Sequence, residues 1–111
     1  MAELMEDCND CEARMIRHVS LLTWNDDATD EQIQAVATAL RTLPGLIPEL
    51  RDYRVGPDLG IDSGTASFVV IGDFDDARGY ATYRDHPEHQ AVAREHIIPI
   101  LAGRRAAQYA V

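Results

Sequence analysis

Pro87 cannot lie inside a continuous helix. It has no backbone N–H, and its ring drives the preceding residue, His86, out of the α region. Its fixed φ suits the first turn of a new helix. The residues on either side must therefore belong to two helices, one ending near Arg84 or Asp85 and one opened by Pro87. The surrounding tract, YATYRDHPEHQAV over 80–92, holds two of the four histidines and two of the four tyrosines. His89 falls in the first turn of the second helix. Free N–H groups and the positive end of the helix dipole disfavour an imidazolium there. His89 is expected to be neutral, the form that accepts a proton.

Upstream, residues 16–24 (IRHVSLLTW) read as a strand, rich in β-formers and closed by Asn25-Asp26-Asp27. Alternation puts Ile16, His18, Ser20, Leu22 and Trp24 on one face and Arg17, Val19, Leu21 and Thr23 on the other. Residues 29–43 read as an amphipathic helix. Thr29 and Gln32 form a capping box, and Ile33, Val36, Ala37, Leu40 and Leu43 share one stripe. Pro44 and Gly45 end it. A second strand is expected over 51–56, a loop over 57–65, and the clearest strand of the chain over 66–74 (ASFVVIGDF). Asp75 is expected to cap a helix over 76–84. The helix opened by Pro87 should end near Ile98, before Pro99. Gly103 should then break into a last strand over 104–111.

The order β, α, β, β, α, α, β is the β-α-β-β-α-β pattern of a ferredoxin-like α+β fold with one extra helical segment. Helices on one face of such a sheet leave the other bare. An apolar bare face must be covered, and a second copy of the chain is the expected cover, which predicts a homodimer.

Charge narrows the partners. The net charge is −9, and every cation other than histidine is an arginine. That balance argues against nucleic acid. No apolar run reaches membrane-span length and the N-terminus has no apolar signal core, so the chain is expected to be cytoplasmic. Residues 1–14 carry five acids against Arg14 and are expected to form a flexible acidic arm ahead of a folded domain over 15–111. Cys8 and Cys11 make a CxxC with no preceding strand and no second pair. It is expected to be incidental rather than a redox or zinc motif.

The segments IRHVSLLTW, LRTLPGLIPEL, GTASFVVIGDF and, above all, YATYRDHPEHQAV resemble those of the stress-responsive A/B barrel (Dabb) family. The resemblance spans about residues 15–111, and H-P-x-H with an upstream tyrosine is its most specific part. It implies a dimeric α+β barrel, a cavity between sheet and helices in each subunit, and no cofactor. A plant polyketide cyclase of this family closes a linear polyketide by an intramolecular aldol reaction. Its catalytic histidine, partner tyrosine and first-strand histidine correspond to His89, Tyr83 and His18 here. A further pocket histidine of that enzyme falls at Phe68.

The resemblance therefore makes His89 a general base and Tyr83 its hydrogen-bonded partner and donor to a developing enolate. His18, His86, Phe68, Trp24 and Tyr80 are the expected binding residues for a small apolar ligand. His96 lies outside the motif and is expected at the surface or near the dimer edge. A metal held by His18, His86 and His89 would have no carboxylate support, so none is expected. Three functional readings follow. One is a cofactor-free cyclase or lyase acting on a polyketide-like or aromatic carbonyl compound. The second is a stress-associated ligand-binding dimer without catalysis, favoured by Phe68 and the lack of a second acid. The third is a cofactor-free monooxygenase of the wider barrel superfamily, which shares the fold.

Overall fold

A computed structural model describes residues 14–111, so the expected acidic arm up to Ala13, with its two cysteines, lies outside the described residues. The elements are β1 (Ile16–Trp24), α1 (Asp30–Arg41), β2 (Asp52–Pro57), β3 (Phe68–Phe74), α2 (Ala77–Asp85), α3 (Pro87–Val92) and β4 (Leu101–Ala110). The four strands form one antiparallel sheet in the order β2-β3-β1-β4. This is the ferredoxin-like α+β fold.

The local signals act as expected at α1. Thr29 Oγ1 accepts from Gln32 N at 3.2 Å, and Gln32 Oε1 accepts from Thr29 N at 2.9 Å, completing the capping box. Val36, Ala37 and Leu40 are buried against the sheet. Leu43 and Ile47 close that end of the core, with no solvent exposure.

Most boundaries shift by one or two residues, and three differ for a reason the structure shows. Asp76, not Asp75, caps α2: its carboxylate accepts from Gly79 N at 2.9 Å. Asp75 is unavailable because its carboxylate is held by Arg51 at 2.8 and 3.1 Å. The helix opened by Pro87 stays regular only to Val92, then widens into a π turn (Ala93–Ile97) and tightens into a 3-10 turn (Ile98–Ile100). Pro99 supplies no N–H to a continuing helix, and the last turns repack around it. Gly103 does not precede β4 but lies within it. The β1–β4 register shifts between Thr23 and Trp24, which pair with Gly103 and Leu101, so a bulge absorbs Ala102.

The alternation assigned to β1 places His18, Ser20, Leu22 and Trp24 on the buried, helix-covered face. The opposite face is not covered by any described element. Leu21 is 40% and Tyr109 53% exposed there. On the same face Arg17 holds Asp73 through two hydrogen bonds, of 2.8 and 2.9 Å. The arginine keeps that carboxyl below its usual range.

Candidate functional site

Between the helix-covered face of the sheet and the segment from Tyr80 to Ile98 lies a cavity of about 230 Å³. His18 and Ser20 enter it from β1, Val70 from β3, Leu101 and Arg104 from β4. Tyr80, Tyr83, Arg84, His89, Ala93 and Ile97 come from the helical side. Its size is below that of a drug-sized pocket and suits a small compound, and its apolar walls with a few convergent polar groups fit a ligand site.

The turn at Pro87 sets the orientation of His89. Its Nδ1 lies 3.1 Å from the backbone carbonyl of Arg84, near the end of α2. A carbonyl only accepts, so Nδ1 carries the proton and Nε2 holds a lone pair. Gln90 Nε2 donates to the same carbonyl at 2.7 Å. Burial lowers the His89 pKa below 6.5, with smaller contributions from the Arg104, His18 and His86 charges, against the opposing bond to Arg84. The shift runs in the direction expected for a neutral ring, and its leading cause is desolvation rather than the helix end.

Tyr83 does not make the expected hydrogen bond to His89. Its ring packs on the imidazole with centroids 4.2 Å apart. Its hydroxyl meets Tyr53 Oη at 2.8 Å instead. Tyr83 lies on α2 one helical turn before the chain reverses, so its long axis runs across the core toward β2. Burial pushes its pKa up to about 12, and pushes Tyr53 up as well.

On the sheet side, His18 Nδ1 donates to Gln108 Oε1 at 2.6 Å, and His18 Nε2 accepts from Ser20 Oγ at 3.1 Å. Ser20 Oγ in turn accepts from Arg104 Nη2 at 3.4 Å. Burial lowers the His18 pKa, helped by the Arg104 charge and opposed by the Gln108 bond. Tyr80 packs its ring over His18 at 4.7 Å.

His18, Tyr80, Tyr83 and His89 thus converge, and three other expected residues do not. Trp24 and Phe68 pack on each other at 5.6 Å, buried away from the cavity wall. Trp24 shares a face with His18, but six residues of strand carry it roughly 20 Å further along. His86 serves as a cap: its Nδ1 accepts from Glu88 N at 3.1 Å, which turns the ring to the helix start. His96 is half-buried beside α1, away from this cavity. Among the described residues no three His, Cys, Asp or Glu side chains are grouped to hold a metal ion. Sequence reasoning missed Ser20, Arg104 and Gln108. The signal available for them was the alternation of β4 against β1.

A family profile for the Stress responsive A/B Barrel Domain matches residues 16–111. The chain belongs to the Dabb family. A dimeric ferredoxin-like protein of unknown function from Thermobifida fusca is 44% identical, with a TM-score of 0.83 over 90% of this chain and 93% of that one. A stress-response A/B barrel domain-containing protein of Arabidopsis thaliana is 27% identical over 80% of this chain. The chain spans 34% of the length of that relative. Hydroxynitrile lyase from Passiflora edulis shares the fold at 16% identity, with a TM-score of 0.78 over 89% of this chain and 94% of its own. No described helix of this Dabb domain is long and apolar enough to cross a membrane.

Proposed function

We propose that this Dabb chain is a homodimeric, cofactor-free enzyme that moves a proton on a small, largely apolar carbonyl compound, with His89 as general base. The observation that carries this reading is the lone pair on His89 Nε2. The Arg84 carbonyl fixes the tautomer, burial keeps the ring neutral, and the ring lines an apolar cavity. A base of this kind takes a C–H proton flanked by carbonyls, the first step of an aldol-type cyclisation. Tyr83 is a positioning residue whose ring holds the imidazole. Tyr80 lines the same cavity, and its hydroxyl, which has no hydrogen bond among the described residues, is the candidate donor to the enolate oxygen. The dimer is supported by the Thermobifida fusca relative, described as dimeric, and by the uncovered sheet face bearing Leu21 and Tyr109.

The ligand-binding reading has one observation of its own. Both nitrogens of His18 and the Tyr83 hydroxyl are already engaged, which leaves the cavity with a single free base.

Deuterium incorporation separates the two. 1-Phenylbutane-1,3-dione in D2O reports C–H exchange above the buffer rate. The expected result is a protein-dependent rate that falls about 10²–10⁴-fold in His89→Ala. A hydroxynitrile is a second probe, since the same base can take its O–H proton as cyanide leaves. A rate no faster than buffer with both probes would leave the binding reading in place, and a protein-dependent rate unchanged in His89→Ala would remove His89 as the base.

A further inference from the structure

The cavity is lined by two arginines of unequal standing. Arg84 is paired with Asp85 through two bonds of 2.9 Å. Arg104 forms no ion pair among the described residues. Among those residues its side chain makes one hydrogen bond, the 3.4 Å contact to Ser20 Oγ. Ser20 gives its own proton to His18 Nε2 and brings no negative charge. Burial disfavours the charged form of the two histidines beside it. A chain with nine more acids than arginines therefore keeps an uncompensated guanidinium in the wall of an apolar cavity.

We propose that Arg104 is the anchor for an anionic group on the ligand, so that the cavity takes a compound with an apolar body and a carboxylate end. This rests on the cavity of the reading above and names the class of compound it accepts. The guanidinium is planar and keeps its remaining N–H donors in the fork that matches a carboxylate. Arg104 is exposed on one side, as is Ile98 at 60%. The charged end of the ligand then sits at the mouth, where its desolvation is partial. The apolar body lies inward against Leu22, Leu40, Val70, Ile97 and Leu101. A fully buried carboxylate would cost far more, and a wholly neutral ligand would leave the guanidinium paired only with water and Ser20.

Calorimetric titration with 4-phenylbutyrate and with its primary amide tests this directly. The two probes share shape and differ in charge. The native protein is expected to bind the acid roughly 10- to 100-fold more tightly than the amide, as a charge-assisted pair predicts. Arg104→Gln should abolish that preference while leaving amide affinity within about threefold, a change too small for a lost ion pair. Arg104→Lys, which keeps the charge but not the fork, should keep part of the preference. Equal affinities in the native protein, a preference that survives Arg104→Gln, or no detectable binding of the acid at millimolar concentration would each overturn the assignment. None of these outcomes bears on the base. That role is read separately by deuterium exchange in His89→Ala, and its failure leaves the acid-over-amide preference intact.

Discussion

The imidazole of His89 and the ring of Tyr83 lie with centroids 4.2 Å apart and tilted by 35°, yet the tyrosine hydroxyl turns away to Tyr53. The two functional groups touch through their faces and not through a hydrogen bond. The hydroxyl of Tyr83 is therefore committed to the fold, while its ring packs on the proposed base.

Tyr83→Phe is expected to keep most of the proton-transfer rate, because the ring remains against His89. It should lower stability by about 1–3 kcal/mol, since it leaves the buried Tyr53 hydroxyl unpaired. For a domain of this size each kcal/mol moves the thermal midpoint by roughly 4–8 °C. Tyr53→Phe should cost a similar amount. The double variant should cost less than the two singles together, because neither orphan remains. A rate that collapses in Tyr83→Phe while the midpoint holds would reverse these assignments.

Stability should also depend on pH in a specific window. His18 and His89 are both held below 6.5 in the fold, each by burial first. Below about pH 6.5 the unfolded chain binds protons that the folded chain refuses. Their contribution is complete above that pH and is lost as the pH falls toward the folded values. Thermal midpoints should therefore decline between about pH 7 and pH 5, with a shallower slope in His18→Gln/His89→Gln. Asp73 acts lower. Arg17 holds its pKa below 3.8, so its stabilisation is present above that value and is lost as the pH falls through the folded one. The rate carried by His89 should be flat at neutral pH, with its inflection below 6.5.

The two histidines of H-P-x-H should separate cleanly. His86→Ala removes a helix cap and is expected to cost about 0.5–2 kcal/mol, with ligand affinity unchanged. His89→Ala should abolish exchange with a smaller effect on the midpoint, since its one hydrogen bond goes to a carbonyl that Gln90 also satisfies. Urea denaturation of both variants, paired with the exchange assay, checks the split.

Phe68 stands where a family member carries a pocket histidine, but here it is 1% exposed and packed on Trp24. Phe68→Ala should cost about 3–5 kcal/mol. Phe68→His should destabilise as well, because a buried imidazole would face the Trp24 ring, and it should add no second base to the cavity. An increased exchange rate in Phe68→His would contradict this placement.

Features set by near neighbours in the chain were the legible ones. The Thr29–Gln32 box, the break at Pro87 and the alternation of β1 are local, and together they give the element order and so the fold. The Tyr53–Tyr83 contact joins residues 30 apart on two elements, and nothing in either local pattern announces it. Arg104 was hidden for another reason. Which face of β4 it takes depends on register, and a one-residue slip moves every side chain to the opposite face. The bulge at Ala102 sets that register, and it forms only when β4 lies against β1. Trp24 shows the converse limit. Its face follows from the alternation of β1, but distance along the strand decides whether a residue reaches the cavity.

The anchor of His89 is a main-chain oxygen, that of Arg84, and not a side chain. Every amino acid placed at position 84 brings the same oxygen. The direction of the lone pair is thus inherited from the path of the chain through its turn, and the side chain at position 84 is free to drift without turning the imidazole while the Tyr83 ring stays against it. A change that moves the backbone itself, such as losing Pro87, redirects it.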